Sequence, residues 1–452
     1  MWLPIKPAPP VTRIFICDVC EPQGWPIQPR LATKKILLRA AVFFANQWPV
    51  NSIVPAPPSA LPRILFVHDF RPDSLHTADL IRQLFLGFPS ENLAWWSFRQ
   101  TERHAAPDLR AARCHEFPLP DRLVPHHRLA GLKSALLENV WVPRAAFALE
   151  RVIAQETPDL VVALLFGWSV PVLARVRWPA GVRRHFSLWD FPDTNGMRKV
   201  IGTARAARFV SDIHALVRQA DTFDAISPGA LAELRAHTGR RNGLVVHSGF
   251  EPHHLRSLEQ SPGGGEAGIL RLAYVGTIIS EPGFRELLSA LKSVRAALPQ
   301  KIVLEFFGGR NYRSRDWFEP DWMVEHGLFT DDGLVAALRR CDWGIVVMDP
   351  EGADLRYSRF SFPNKVGTYL AAGVPILGNG HSQSSLAQLM SEHRLGKFSS
   401  AVNRVDLENF LAESLQLPAP RDFFRTEILQ CAQTEFNAAA VRAQLWQLWC
   451  AT

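Results

Sequence analysis

Short apolar runs alternate with segments of helical spacing along most of the chain. The first run, at residues 63–67, is followed at residues 73–86 by leucines that recur on one face of a helix. Strands that alternate with helices form βαβ units and therefore a parallel, doubly wound sheet. Further patterns of the same kind predict strands at residues 160–166, 185–189, 222–226 and 244–247, and a helix at residues 228–238.

A glycine-rich segment at residues 261–268 interrupts this alternation and is typical of an interdomain linker. The alternation then restarts. Two α/β domains joined by such a hinge leave a cleft between them, and ligands bind at the carboxyl ends of the strands. We therefore expect the function to lie in that cleft. The second region has predicted strands at residues 270–276, 301–307, 343–348 and 374–377, and helices at residues 284–298, 332–341 and 364–372.

The chain is long enough for two domains and additional segments. Residues 1–60 carry repeated prolines without a sustained hydrophobic period, and we expect them to be a poorly ordered extension. The predicted parts are this extension, a first Rossmann-like domain at residues 61–260, the linker at residues 261–268, a second Rossmann-like domain at residues 269–430 and a terminal helix at residues 431–452.

The composition is typical of a soluble globular protein, because 47% of the 452 residues are apolar and 21% are charged. Six cysteines are too few for a disulfide framework, so we expect a reducing compartment.

Residues 61–260 carry 25 lysines and arginines against 20 aspartates and glutamates, which favours a phosphate ester or an anionic membrane surface as partner. Nucleic acid is not expected, since basic blocks and zinc-finger spacing are missing. No apolar stretch is long enough to span a bilayer.

Glycines end two of the predicted strands in the second region. Gly276 follows one strand, and Gly308 and Gly309 follow the next. A glycine at such a position lets a phosphate or a helix approach the backbone closely. Ordinary packing is the alternative explanation. Arg310 comes directly after the second pair, where it either reaches a phosphate or is simply solvated.

A sharper signal lies in residues 356–377. Pro363 suits the first turn of a helix, so the backbone N–H groups of Phe362, Asn364 and Lys365 are expected to face the cleft and to bind a diphosphate. Lys365 adds a positive charge there, and a solvated surface lysine is the alternative interpretation. The side chains of Asp354, Arg356 and Arg359 either orient a sugar or form a surface ion network.

Other candidate groups carry weaker signals. The pairs His126–His127 and His253–His254 are adjacent in sequence, and adjacent residues do not share a face, so we expect solvated histidines and no metal site. Cys17 and Cys20 have no second pair at zinc spacing and are interpreted as incidental. The tryptophan pairs Trp95–Trp96 and Trp446/Trp449 are expected to pack in the core or between domains.

The order of these motifs resembles the donor-binding half of family 4 GT-B glycosyltransferases. The first domain adds Leu188-Trp-Asp190 and His247-Ser-Gly249, and the chain closes with Glu435-Phe-Asn437 before Arg442. The resemblance covers roughly residues 62–450 and implies two Rossmann-like domains facing each other across a cleft, with a C-terminal helix that crosses back to the first domain. The motifs in the second domain are Tyr-Val-Gly276, Phe-Phe-Gly-Gly309, Asp332 to Asp342, and Pro-Asn-Lys365-x3-Tyr-Leu-Ala-Ala-Gly-Val-Pro-Ile376.

The chain departs from the family pattern at several positions. An arginine and a lysine of the family usually grip the diphosphate, but Thr277 and Pro282 stand at those positions. The paired glutamates of the family, the second of which usually holds the donor ribose, fall on Phe360 and Thr368. A subset of surface-polysaccharide transferases shares the Pro-x-Lys variant, so Lys365 is expected to substitute for the lost cations. The family's His-Asp pair reads Trp189-Asp190.

The resemblance implies a metal-independent, retaining transferase of the hexosyltransferase type. Asp190 and Lys365 are the predicted catalytic residues, and no metal site and no cofactor are expected besides the nucleoside diphosphate sugar as co-substrate. The predicted donor-binding residues are Gly276, Thr277, Gly309, Arg310, Ser361, Phe362, Asn364, Lys365 and Thr368.

The leading hypothesis is a cytoplasmic glycosyltransferase of surface polysaccharide or glycoconjugate biosynthesis. In this hypothesis the first domain binds a glycan or lipid-linked acceptor, the second binds the nucleotide sugar, and an anionic inner membrane face is a candidate partner. The alternative is a non-catalytic GT-B scaffold that binds a nucleotide sugar or a partner transferase, motivated by the missing cations and glutamates. A sugar-nucleotide epimerase is a third hypothesis, which only the two-domain layout supports.

Overall fold

The computed structural model describes residues 60–72, 79–98, 113–120, 129–192, 194–260, 266–329, 331–349 and 355–451. The predicted extension before Ala60, with Cys17 and Cys20, lies outside the described residues, as do His126, His127, Asp354 and residues 261–265 of the predicted linker.

The first sheet has seven parallel strands in the order β3-β2-β1-β4-β5-β6-β7. These strands are β1 (Ile64–His68), β2 (Leu93–Ser97), β3 (Arg113–Glu116), β4 (Leu160–Leu164), β5 (Arg183–Leu188), β6 (Thr222–Ala225) and β7 (Gly243–Val245). The helices around them are α1 (Asp79–Phe85), α2 (Ala130–Leu136), α3 (Val142–Glu156), α4 (Ser169–Leu173), α5 (Thr194–Ile201), α6 (Thr203–Gln219) and α7 (Pro228–Thr238), with a π-helical turn at Leu137–Trp141 and a 3-10 turn at Ser90–Asn92.

The second sheet has six parallel strands in the order β10-β9-β8-β11-β12-β13. These strands are β8 (Ile269–Val275), β9 (Lys301–Phe307), β10 (Met323–Glu325), β11 (Trp343–Val347), β12 (Ile376–Asn379) and β13 (Gly396–Ser399). The helices that follow the first sheet are α8 (Pro252–Gln260), α9 (Glu281–Arg295), α10 (Asp331–Leu338), α11 (Leu355–Phe360), α12 (Lys365–Ala371), α13 (Ser385–His393), α14 (Arg404–Leu415), α15 (Pro420–Phe423), α16 (Arg425–Thr434) and α17 (Ala438–Cys450).

Both sheets reverse their strand order at one point, and this positions the site. In the first sheet the reversal falls between β1 and β4, and in the second it falls between β8 and β11. A crevice forms beyond the carboxyl ends of the strands at such a reversal, because the adjoining loops diverge there. The loops after β8 and β9 are therefore the natural ligand-binding loops of the second domain.

The predicted crossing helix is present and ties the two domains together. After α16 the chain forms a bridge in which Phe250 N donates to Phe436 O at 2.6 Å and Ala438 N donates to Phe250 O at 3.0 Å. Helix α17 then packs against α1, where Trp446 Nε1 donates to Leu84 O at 3.0 Å. The predicted packing role of the two tryptophan pairs is confirmed, since the four rings of Trp95, Trp96, Trp446 and Trp449 are buried.

Some predicted boundaries were wrong for local reasons. Helix α9 begins at Glu281 rather than at residue 284, because the Ser280 side chain accepts a hydrogen bond from Gly283 N and caps the first turn. Pro282 stands inside that turn, where its missing N–H costs nothing. Strand β12 begins at Ile376, two residues later than predicted, because Gly373 ends helix α12 with a φ of 66°.

Candidate functional site

The loop after β8 packs directly against the loop after β9. Gly276 has a φ of 74°, and its N–H donates to Phe307 O at 2.7 Å. Gly308 has a φ of 145°, and a Cβ added to it would lie 3.3 Å from Gly276 Cα. Gly308 is therefore favoured by the close approach of the two backbones and by its positive φ, whereas Gly276 is favoured by its positive φ alone, since a Cβ added to it would meet nothing within 4 Å. The packing interpretation accounts for Gly308, and the donor-binding role of Gly276 stays a prediction.

Thr277 is the hub of the predicted donor site. Its carbonyl oxygen accepts a hydrogen bond from Lys365 Nζ at 3.0 Å, and its Oγ1 accepts one from Arg310 Nε at 3.3 Å. The structure thus brings together Gly276, Thr277, Gly309, Arg310 and Lys365 around one loop at the switch point of the second sheet. Arg310 is exposed to solvent, so its guanidinium remains accessible from the cleft.

Lys365 lies beneath this loop instead of projecting freely into the cleft. Its Nζ is 4.0 Å from the centroid of the Tyr274 ring, and the residue is only 9% exposed. Burial lowers the pKa of Lys365 to about 7. The buried position differs both from the expected cleft-facing ammonium and from the alternative of a solvated surface lysine. The catalytic role of the residue stays a prediction.

The same face of α12 carries a residue that the sequence interpretation did not single out. Tyr369, one helical turn after Lys365, accepts a hydrogen bond from Val275 N at 2.9 Å, and its Oη lies 3.1 Å from the carbonyl oxygens of Ala273 and Ile345. A Cβ added to Gly344 would lie 2.4 Å from the ring. Tyr369 therefore locks α12 onto β8 and β11. The signal was the Lys-x3-Tyr spacing, which puts both side chains on one helix face.

The remaining predicted residues of this segment divide into two groups. Asn364 is exposed and Thr368 is partly exposed, so their side chains are accessible to a ligand. Among the described residues, the N–H groups of Phe362 and Asn364 have no backbone acceptor. The N–H of Ser361 differs, because it already donates to Tyr357 O at 2.9 Å, and Ser361 O accepts from Ser385 Oγ.

Phe362 belongs to the contact between the two domains. Its ring stacks on His247 with centroids 5.5 Å apart, and Phe436 lies 4.5 Å from the same histidine. Burial lowers the pKa of His247 to about 4, so the imidazole is neutral at pH 7. Two residues before Phe362, the carbonyl oxygen of Phe360 accepts a hydrogen bond from Ser227 Oγ of the first domain at 2.6 Å. Residues 360–362 therefore form part of the domain contact.

Asp190 lies on the first domain at the same contact. It follows β5, and the next residue, Phe191, packs against Phe360 of the second domain with ring centroids 4.7 Å apart. The residue is exposed to solvent, yet the surrounding protein crowds its carboxylate, and this desolvation raises the pKa of Asp190 to about 6. Asp190 is therefore partly desolvated but still accessible to a ligand, as expected of a residue at the bottom of a cleft.

A buried hydrogen-bond network supports this part of the cleft. Asp224 on β6 accepts from Trp189 Nε1 at 2.7 Å and from Ser187 Oγ at 2.6 Å, and it lies 2.7 Å from His185 Nε2. The second ring nitrogen of His185 lies 2.8 Å from Thr222 Oγ1. The sequence interpretation missed this network, although residues 185, 187 and 189 alternate along a strand and so point to one face.

The prediction that His253 and His254 would not converge was wrong. Their ring centroids are 3.9 Å apart, and their Nε2 atoms lie 3.7 Å and 2.9 Å from Asp332 Oδ1 on α10. Both rings turn toward this carboxylate, so the divergence expected of neighbouring Cβ atoms is overcome by the reach of the rings. One ligand atom from each of the three residues lies within 4.8 Å of the others. The pKa of Asp332 is lowered, chiefly by the hydrogen bond with His254.

The two described arginines near the predicted phosphate loop lie on α11. The Arg359 guanidinium lies over the Phe360 ring, 5.6 Å from its centroid, and Arg356 is exposed. Within the described residues, every helix is too short or too polar to cross a membrane.

Comparison with known proteins agrees with this architecture. Residues 288–410 match the family model described as "Glucosyltransferase 3-like, C-terminal domain". None of the curated proteins compared with the chain matches it.

Solved structures share the fold at low sequence identity. Anabaena Alr3699/HepE, solved with UDP and glucose, has a TM-score of 0.58 at 14% identity over 86% of this chain and 100% of its own. WaaG, a glycosyltransferase of lipopolysaccharide biosynthesis, has a TM-score of 0.61 at 13% identity over 86% and 100%. Sucrose-phosphate synthase from Thermosynechococcus elongatus has a TM-score of 0.61 at 14% identity over 86% and 98%. The predicted GT-B fold is confirmed.

Proposed function

We propose that the protein is a glycosyltransferase that moves a sugar from a nucleoside diphosphate donor to a glycan or lipid-linked acceptor. The observation that carries the proposal is the position of the Thr277 hub at the switch point of the second sheet. It lies where open α/β sheets bind ligands, on the domain whose residues 288–410 match a glucosyltransferase-like model.

On the donor side, the exposed Arg310 binds the diphosphate, together with the N–H groups of Phe362 and Asn364. Arginine matches phosphate geometry with two parallel hydrogen bonds. Lys365 contributes indirectly, because its Nζ donates to the Thr277 carbonyl at 3.0 Å and so positions the loop that faces the diphosphate. Thr368, partly exposed on α12, is the candidate contact to the donor ribose.

On the acceptor side, Asp190 is an accessible acidic group at the domain contact. Its crowded carboxylate, with a pKa of about 6, accepts a hydrogen bond from a hydroxyl of the sugar or acceptor. We propose that the transferred sugar keeps its anomeric configuration and that no metal takes part. The protein then positions the two substrates and stabilises the leaving diphosphate.

The neighbours support a role in surface glycan assembly. One was solved with UDP and glucose, and another acts in lipopolysaccharide biosynthesis. We propose that this chain acts at the cytoplasmic side of a membrane, where the basic excess of residues 61–260 attracts an anionic surface. The acceptor would be carried on a lipid in that surface.

Calorimetric titration with UDP and GDP tests the donor site. We expect micromolar binding of one of them, the range typical of a few charge-assisted contacts. Arg310→Ala should weaken this binding at least tenfold, whereas Arg313→Ala, a matched change at an exposed arginine three residues away, should not. Absence of binding by both nucleotides would contradict the proposal and favour the non-catalytic scaffold.

A further inference from the structure

An apolar stripe runs along the outer face of the helical segment from α2 to α3. Twelve large hydrophobic residues are exposed in the described part of the chain, and five of them fall within the 19 residues from 129 to 147. Leu132, Leu136, Val140 and Phe147 follow one another at intervals of one or two helical turns and so share one face, and Leu129 directly precedes the first turn of α2. The stripe consists of Leu129, Leu132, Leu136, Val140 and Phe147, which are 67%, 58%, 42%, 43% and 56% exposed.

The opposite face of the same segment already supplies the core of the first domain. Leu137, Trp141 and Leu149 are buried there against the sheet. The stripe is therefore additional to the face that folding needs. Single exposed apolar residues are ordinary, but a contiguous row of them marks an interaction surface.

Unpaired positive charge accompanies the stripe. The three acids of the segment are all paired: Glu138 with Arg205 at 3.2 Å, Glu150 with Arg177 at 3.5 Å, and Glu156 with Arg113 at 2.8 Å. Its bases Lys133, Arg144 and Arg151 form no ion pair with any described residue. The segment thus presents free positive charge beside exposed apolar side chains.

A groove on this face combines the two features. It has a volume of about 460 Å³ and is lined by apolar groups and by two arginines that stand seven residues, or about two helical turns, apart. Apolar lining suits an acyl chain, and the arginines suit a phosphate at its head. The lining residues are Phe117, Pro143, Arg144, Phe147, Ala148 and Arg151.

The groove lies near the carboxyl end of β3, because Phe117, which lines it, directly follows that strand. Trp141, between α2 and α3, donates from Nε1 to Pro118 O at 3.0 Å, and its ring lies 6.2 Å from that of Trp168. Pro118 follows β3 and Trp168 follows β4, so both stand at the carboxyl ends of the strands. The groove is therefore on the same edge of the first sheet as the end of β5, which Asp190 follows.

We propose that residues 129–151 form a docking surface for an anionic lipid bilayer. The stripe inserts into the boundary between head groups and acyl chains, while Lys133, Arg144 and Arg151 contact lipid phosphates. Charge complementarity selects this occupant. The inference rests on the proposed function for its purpose, which is to bring a lipid-linked acceptor to Asp190, but binding to the bilayer is a separate property.

Sedimentation with phosphatidylglycerol and phosphatidylcholine vesicles tests the inference on the full chain. We expect binding to the anionic vesicles that weakens with salt, because the attraction is screened within about 8 Å at physiological ionic strength. The variants are Leu132→Ser with Phe147→Ser, and Arg144→Glu with Arg151→Glu. Each pair should lower the partition coefficient at least tenfold.

Matched controls separate this surface from general hydrophobicity and charge. Val405→Ser with Phe423→Ser removes two exposed apolar side chains of the second domain, and Arg313→Glu reverses an exposed charge there; these changes should leave partitioning unchanged. Calorimetric titration with UDP or GDP should give the same affinity in all variants, so a failed donor site is distinguished from a failed docking surface. No binding of the wild type to anionic vesicles, wild-type binding by both variants, or loss of self-association in the Leu132/Phe147 variant without any vesicle binding would overturn the proposal.

Discussion

Each side of the cleft has an exposed charged group with a buried charged group close to it. The two buried groups differ in how many hydrogen-bonding partners they have. Behind Asp190, the carboxylate of Asp224 has three hydrogen-bonding neighbours within 2.7 Å. Behind Arg310, the ammonium of Lys365 has one acceptor in the described structure, the Thr277 carbonyl, and otherwise an aromatic ring. Burial without enough partners lowers the pKa of the lysine to about 7.

This difference suggests a division of work between the domains. A fully bonded buried acid fixes its neighbours, so the acceptor side is held rigidly. An under-bonded lysine gains from any anion that approaches its loop, so the donor side responds to the diphosphate. We therefore expect changes at Lys365 to act mainly on turnover and changes at Asp224 to act mainly on stability.

The largest expected effect is on turnover in Lys365→Met. The methionine keeps the volume but removes the buried cation that acts on the diphosphate through the Thr277 loop, and losing a positioned charge-stabilising group typically costs about 2.7–4 kcal/mol, or a hundredfold to a thousandfold in rate. Steady-state turnover measures this. Lys301→Met, at the exposed start of β9, is the matched control and should keep full activity. Undiminished turnover in Lys365→Met would remove the role assigned to the lysine.

Asp224→Ala should act on stability first. The change leaves the buried His185, Ser187 and Trp189 without their shared partner, and unsatisfied buried groups cost about 1–3 kcal/mol each. We expect a loss of at least about 3 kcal/mol in the free energy of unfolding, measured by urea titration. Nucleotide affinity should stay the same at temperatures where the variant is folded. A stability equal to wild type would show that the network does not hold the acceptor side.

Asp190→Asn should lower turnover about tenfold, the size of one hydrogen bond to a charged group. The pKa of Asp190 is raised to about 6, so its carboxylate becomes protonated as the pH falls through 6. Wild-type turnover should therefore decline below about pH 6, and the pH–rate profile of the variant should lack that decline. An identical decline in both proteins would assign it to another group.

A further effect should appear in the pH dependence of stability. The pKa of Lys365 is about 7 in the folded chain and 10.5 in the unfolded one, so between these values the unfolded state binds more protons. Stability should then rise with pH from about 7 to 10.5, by at most about 1.4 kcal/mol per pH unit. Denaturant titration of wild type against Lys365→Met isolates this contribution. Equal slopes in the two proteins would contradict the buried position of the ammonium.

The sequence was sufficient for the architecture because apolar periodicity records burial. Helix α7 and strand β9 have the predicted bounds, Pro228–Thr238 and Lys301–Phe307. Strands β2 and β3 were not predicted. Strand β3 is largely exposed, so its alternation is weak, and β2 carries the tryptophans that had been assigned only to packing.

The site was only partly predictable. The residues around Thr277 were found because glycines at strand ends and one motif mark them. Whether Lys365 points into the cleft or under the loop depends on a side-chain path of four carbons, which spacing does not determine. The alternation of residues 185, 187 and 189 marks one half of the Asp224 network, but their partner on β6 and the convergence of His253 and His254 on Asp332 depend on contacts between separate elements, which no local pattern encodes.

Incubation of the purified protein with a panel of UDP- and GDP-sugars is the most direct measurement of the central claim. Release of the nucleoside diphosphate should be detected, with lipid-linked and glycan acceptors supplied in separate reactions. The account predicts that at least one donor is consumed by the wild type and by Lys301→Met, and that Lys365→Met consumes it at least a hundredfold more slowly. If a nucleotide binds but no donor is consumed with any acceptor, the protein is a scaffold and the proposed transfer is contradicted.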